Sequence, residues 1–191
     1  MTRIIAGRGK GRRLKAPAGL ETRPTGARVR QTLFDILAPR LAGCRFLDAF
    51  AGTGAVGLEA LSRGAASVVL IEQGGAAAAA IRENLEALAV AGDVQVFRQD
   101  ARVALPALAE QGRRFDVIFL DPPYAGDLYE RSLQAIVTSG LLAPGGVAVA
   151  QHFHKRPLPE RIGSLVRVRS VRVGDHLLSF FEEEGKESGS P

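Results

Sequence analysis

From Arg45 onward, short apolar runs alternate with longer stretches whose apolar residues recur at helical spacing. RFLDAFA (45–51) precedes a helical pattern starting near Val56, and SVVLIE (67–72) precedes one carrying Ile81, Leu85 and Leu88. VQVFRQD (94–100) and FDVIFLDPP (115–123) continue the series. Strands of about six residues alternating with longer helices predict βαβ units, and hence a parallel sheet covered on both faces. GGVAVAQHF, VRVRSVRV and HLLSFFEE follow with less helix between them, which predicts an antiparallel pair at one edge. The expected architecture is a doubly wound α/β fold. In HLLSFFEE, strand alternation predicts that one of Phe180 and Phe181 is a core residue.

Ahead of the sheet, RIIAGRGKGRRLKAP (3–17) reads as a glycine-punctuated extended segment or hairpin. Thr25 is a candidate cap for a helix with Val29, Leu33, Ile36 and Leu37 on one face and Arg28 and Arg30 on the other. The expected domains are a basic extension over 1–44, a catalytic domain over 45–183 and a polar, disordered tail over 184–191.

Charge sharpens this division. Residues 1–45 hold eleven Lys/Arg against two acids, a net of +9, while fourteen basic and eighteen acidic groups leave the rest at −4. A basic arm on a mildly acidic domain fits a polyanionic partner, because cations that neutralise phosphates release counterions. No apolar run reaches membrane-spanning length and no signal-peptide pattern opens the chain, so a cytoplasmic protein with no membrane partner is expected. Cys44 is the only cysteine, which excludes an intrachain disulfide and a cysteine-based zinc site. His152 and His154 share a strand face without a third ligand, so hydrogen-bonded histidines and no metal are expected; His176 has no partner in the sequence.

Four successive strands end in a carboxylate: Asp48, Glu72, Asp100 and Asp121. In an open parallel sheet those ends share one edge, where ligands bind. S-adenosylmethionine offers matching groups in its α-amino group, ribose diol and adenine amine. The loop AFAGTGAVG (49–57) satisfies G-x-G-x-x-G through Gly52, Gly54 and Gly57. That motif alone serves an NAD(P)-dependent oxidoreductase equally well. Asp48 weighs against a pyrophosphate there, since its carboxylate would repel phosphate but attract an ammonium.

Asp121-Pro122-Pro123-Tyr124 distinguishes the readings. The two prolines stiffen the turn, so that the Asp121 carboxylate and the Pro122 carbonyl form an acceptor pair for one NH2 group. Such a pair aims the lone pair of an exocyclic base amine at a sulfonium methyl and stabilises the charge developing on nitrogen. Tyr124 is placed to stack on the base.

These features together resemble the bacterial 16S rRNA guanine-N2 methyltransferases that act on one guanine of the small ribosomal subunit. The resemblance spans residues 3 to about 181 and rests on RIIAGRGKGRRL (3–14), RPTGARVRQTLFDIL (23–37), FLDAFAGTGAVGLEALSRG (46–64), D-P-P-Y and VGDHLLSFF (173–181). It implies a Rossmann-like class I S-adenosylmethionine-dependent methyltransferase, with a mostly parallel seven-stranded sheet and an N-terminal hairpin and helix that bind RNA. By resemblance, Asp48 with Ala51, Gly52 and Gly54 would hold the methionine part of the donor. Glu72 would take the ribose, Asp100 and Ala101 the adenine, and Asp121, Pro122 and Tyr124 the guanine. Arg8, Lys10, Arg12, Arg13, Arg23, Thr25, Arg28 and Arg30 are the expected RNA contacts. The implied substrate is 16S rRNA in the small subunit or an assembly intermediate, and the implied enzyme is a monomer. The sequence departs from the family pattern at Asp35, where Asn is usual, at Gln73, and at Val173 in place of Tyr. A DNA adenine-N6 methyltransferase would use the same D-P-P-Y chemistry, but little chain follows Tyr124 for a recognition domain; a glutamine methyltransferase would favour Asn at 121.

Overall fold

The computed structural model describes residues 2–17, 26–88, 92–123 and 127–184. After an N-terminal loop pair come α1 (Ala27–Leu41), β1 (Arg45–Asp48), α2 (Ala55–Ser62), β2 (Ser67–Ile71), α3 (Gly75–Leu88) and β3 (Asp93–Phe97). They are followed by α4 (Ala101–Glu110), β4 (Phe115–Leu120), α5 (Leu128–Ser139), β5 (Leu142–Phe153), β6 (Arg161–Ile162), β7 (Leu165–Val173) and β8 (His176–Glu183). One sheet runs in the order β3-β2-β1-β4-β5-β8-β7-β6. The first five strands are parallel, and β8, β7 and β6 add antiparallel pairs.

Among the described residues the sheet has eight strands, where the family resemblance implies seven. The additional strand, β6, is a two-residue partner of β7 and is too short to leave a period in the sequence. Strand order reverses between β2-β1 and β4, which opens a crevice at the C-terminal ends of these strands.

Each face of the sheet carries its own core. Phe46, Val117, Phe119, Val149 and Leu178 pack beneath Leu33, Phe34, Leu37 and Leu58 of α1 and α2. Leu47, Ile118, Leu120 and Phe181 pack beneath Leu105, Leu108, Leu133 and Ile136 of α4 and α5. Phe180 and Phe181 are therefore both buried, on opposite faces, because helices cover both sides of β8.

The N-terminal segment is a hairpin docked on α2 and α3. Ile4 donates to the Arg12 carbonyl at 3.0 Å, Gly11 donates to the Ile4 carbonyl at 2.9 Å, and Arg3 bridges to Arg13. Ile4 and Leu14 are buried in the first core. Glu59, fully buried on α2, accepts from the backbone N–H of Ile5 at 2.7 Å and of Ala6 at 2.9 Å. Gly7 lies so close to α2 that a Cβ there would sit 1.9 Å from the Ser62 carbonyl oxygen, and its φ is +78°.

Helix α1 begins at Ala27 with Gly26 as N-cap, and among the described residues no side chain caps it; Thr25 lies outside them. Arg30 overturns the expectation of an RNA-facing cation. It is 1% exposed, lies 3.9 Å from Glu59 and donates to the Arg3 carbonyl at 2.6 Å. Its position one turn from Leu33 and Phe34 turns it inward. Of the expected tail, Glu184 is paired with Arg161, and 185–191 lie outside the described residues.

Candidate active site

A cleft of about 700 Å³ opens at the reversal in strand order, lined by Asp48, Ala51, Gly52, Glu72, Asp100, Ala101, Asp121 and Pro122. Nearly all the expected donor and base positions thus share one cavity, of a size suited to small-molecule ligands. Gly54 does not line it. With φ of +79° it is the N-cap of α2, a backbone conformation that favours glycine. Tyr124, Arg23 and Thr25 lie outside the described residues.

Asp48 ends β1 on the α2 side of the sheet, 1% exposed, and accepts from the Gly57 N–H at 3.0 Å. A Cβ at Gly57 would lie 2.3 Å from Leu70, so glycine there lets α2 settle close enough for this bond. The second Asp48 oxygen, Oδ1, has no hydrogen-bond partner among the described residues. Burial pushes the carboxyl up to about 7; the Gly57 and Phe50 N–H groups oppose the rise, and Asp121 and Glu72 add to it.

Glu72 follows β2 and ties two loops together, accepting from Gly52 N–H at 2.8 Å and from Gly74 N–H at 2.6 Å. Each carboxylate oxygen retains further accepting capacity. Asp100 caps α4 by accepting from the Arg102 N–H at 2.8 Å, and the Arg102 guanidinium also engages both its oxygens. That contact holds the Asp100 carboxyl below its ordinary value.

Asp121 follows β4 on the same face as Phe119, and its Oδ2 accepts from Gln151 Nε2 at 3.0 Å. Gln151, His176 and Arg131 also line the cleft; Gln151 and Arg131 belong to no sequence motif, and His176 lies in VGDHLLSFF without having been assigned a role there. A polar residue in VAVAQHF was the available signal for Gln151, since a buried polar group is the informative exception in an apolar strand. His176 reaches the cleft because β8 runs antiparallel to β5, pairing it with Phe153. His152 is structural: its Nε2 lies 2.9 Å from Ser179 Oγ and its Nδ1 3.0 Å from the Arg156 carbonyl.

Arg8, Lys10, Arg12, Arg13 and Arg28 are exposed. Arg12 also donates to the Ala87 carbonyl at 2.6 Å, tying the hairpin to the end of α3. Of the three departures, Gln73 lines the cleft, Val173 is a core residue and Asp35 is exposed, accepting from Gln31.

Comparison with known proteins agrees with this geometry. The family described as Conserved hypothetical protein 95 matches residues 2–182. Ribosomal RNA small subunit methyltransferase D of Escherichia coli K12 is 39% identical over 157 residues, covering 82% of this chain and 77% of the relative. Among solved structures, a hypothetical protein of Thermus thermophilus superposes with a TM-score of 0.80 at 38% identity, covering 94% and 98% of the two chains. The 16S rRNA N2 methyltransferase RsmC of T. thermophilus, in complex with AdoMet and guanosine, gives a TM-score of 0.64 at 28% identity, covering 81% of this chain and 43% of that one. The sheet is that of the class I S-adenosylmethionine-dependent methyltransferases. Cleft, sheet order and sequence agree: the chain belongs to the Conserved hypothetical protein 95 family, whose relatives include the ribosomal RNA small subunit methyltransferases D.

Proposed function

We propose that the protein transfers the methyl group of S-adenosylmethionine to the exocyclic N2 of a guanine in 16S rRNA of the small ribosomal subunit. The observation that carries this reading is the meeting of Asp48, Glu72 and the Asp121-Pro122 turn in one cleft. The named activity of the E. coli relative and the AdoMet and guanosine in the T. thermophilus neighbour support it.

The donor's chemistry fits the residues present. Asp48 Oδ1 is a buried acceptor lacking a donor within the described protein, and an ammonium would complete it. Gly52 and Ala51 line the same cleft with little side chain, and Glu72, held by two N–H groups, is oriented toward a diol. Asp100 is partly exposed and its partner Arg102 is exposed, so an adenine amine would exchange with an ion pair at the surface worth little. When bound, S-adenosylmethionine supplies an electrophilic sulfonium methyl.

The protein's task is then to present the amine. Asp121 and the Pro122 carbonyl accept from its two N–H bonds, which favours a pyramidal nitrogen with its lone pair toward the methyl. As the N–C bond forms and the C–S bond breaks, the Asp121 carboxylate stabilises the positive charge on nitrogen, and one amine proton is then released. Tyr124 follows in the chain as the stacking partner. Arg8, Lys10, Arg12, Arg13 and Arg28 would hold the RNA backbone, in a small subunit or an assembly intermediate.

The test is to incubate the protein and labelled donor with small subunits, assembly intermediates and free rRNA, then locate the label by mass spectrometry. Methyl on N2 of a single small-subunit guanine is expected. Label on adenine, or none on any substrate, would overturn the assignment.

A further inference from the structure

Strand β5 is apolar from Val147 to Ala150 and then places Gln151, 2% exposed, on the face that carries Val149. Strand alternation puts Asp121, two residues after Phe119, on that same face, and the two side chains meet: Gln151 Nε2 donates to Asp121 Oδ2 at 3.0 Å. The other end of the amide, Oε1, is buried with no hydrogen-bond partner among the described residues. A leucine or methionine would fill the position without stranding an oxygen, so packing does not account for the amide.

The surrounding charges do account for it. Asp121 and Glu72 each stand close enough to Asp48 to repel its carboxylate, so Asp121 faces a like charge across the cleft. A carboxylate in that company turns away unless a donor holds it. A lysine or arginine would hold it, but would also place positive charge where a sulfonium and a nitrogen turning cationic must be accommodated. A neutral amide orients without that penalty.

We infer that Gln151 is a positioning residue, whose N–H fixes one oxygen of Asp121 and thereby sets the direction in which the carboxylate meets the target amine. The inference rests on the methyl-transfer reading of this cleft. His176 and Arg131 line the same cavity and stay unchanged in the variants that test it.

Full-length Gln151→Leu and Gln151→Glu are compared with wild type for methyl transfer to small subunits between about pH 6 and pH 9. In Gln151→Leu, kcat should fall about 10²-fold, the cost of a misplaced reacting group, with the KM for S-adenosylmethionine little changed. In Gln151→Glu, two adjacent carboxyls share one proton at low pH, so the introduced side chain still donates and kcat approaches wild type. As pH rises the shared proton leaves, and kcat falls to the level of the leucine variant. Wild-type kcat in Gln151→Leu, or a Gln151→Glu profile superimposable on the wild type's, would overturn the inference.

Crystal structures of wild type and Gln151→Leu read the same claim without turnover. The Asp121 carboxylate should rotate in the variant, and an unmoved carboxylate would count against positioning. Failure of the wild-type chain to methylate any rRNA would sink the proposed reaction and leave the crystallographic comparison to judge Gln151.

Discussion

Asp48 and Asp121 are two carboxylates on one cleft with different expected consequences of removal. Asp121→Ala should abolish methyl transfer while calorimetry finds S-adenosylmethionine affinity nearly unchanged; equal loss of both would contradict its assignment to the base. Asp48→Asn should do the reverse, weakening donor binding at least about tenfold, the scale of one lost charged hydrogen bond. The carboxyl of Asp48 is raised to about 7 by burial, so the folded chain binds a proton that the unfolded chain has already released above about pH 4. Its contribution to stability therefore declines as pH rises from about 4 to about 7. Urea unfolding of wild type against Asp48→Asn should show this slope in wild type alone. Donor binding has the opposite dependence, because an ammonium selects the ionised carboxylate: affinity should rise with pH across the same range, with proton release measurable near pH 6.

The elements were legible to the extent that their patterns were regular. β2 and β4 are near-continuous apolar runs, and α1 and α3 show their buried faces by spacing. β6 was missed because two residues have no period, and Arg30 was misplaced because a cation in a basic block reads as surface. Only the docked hairpin explains its burial. Glu59 holds two backbone N–H groups, Arg63 at 2.7 Å and the nearby Arg30, so its loss strands several buried partners together. Glu59→Ala is expected to cost about 3–5 kcal/mol in denaturant unfolding, as for a buried pair deprived of one partner. Gly7→Ala should also destabilise, through its clash with the Ser62 carbonyl. Replacing exposed Arg13 and Arg28 should leave stability unchanged but weaken RNA binding, flattening the salt dependence by about 0.7–0.9 per lost phosphate contact. An unaltered slope would exclude them as phosphate contacts.

Taken whole, the molecule gathers its chemistry at one edge of the sheet, and that much was readable from four strand-ending carboxylates and D-P-P-Y. The cleft's remaining wall was not, because Gln151 and His176 arrive on strands whose partners lie far away in sequence. Antiparallel closure by β8 brings them there, and the VGDHLLSFF block that contains His176 does not by itself announce a place in the cleft. The sequence also suggested a cationic arm hung on a catalytic body, whereas α1 and the hairpin share a core with the sheet. Among the described residues no helix is long and apolar enough to cross a membrane.

Helix α2 receives the Asp48 carboxylate at Gly57 and grips the hairpin backbone through Glu59, two residues further on. The span between the cationic loop and the catalytic floor is thereby as stiff as a single helical turn. An RNA that engages both must supply a target nucleotide at a set distance from its own backbone, so the folded shape of the substrate would choose the base, with the protein serving as a caliper.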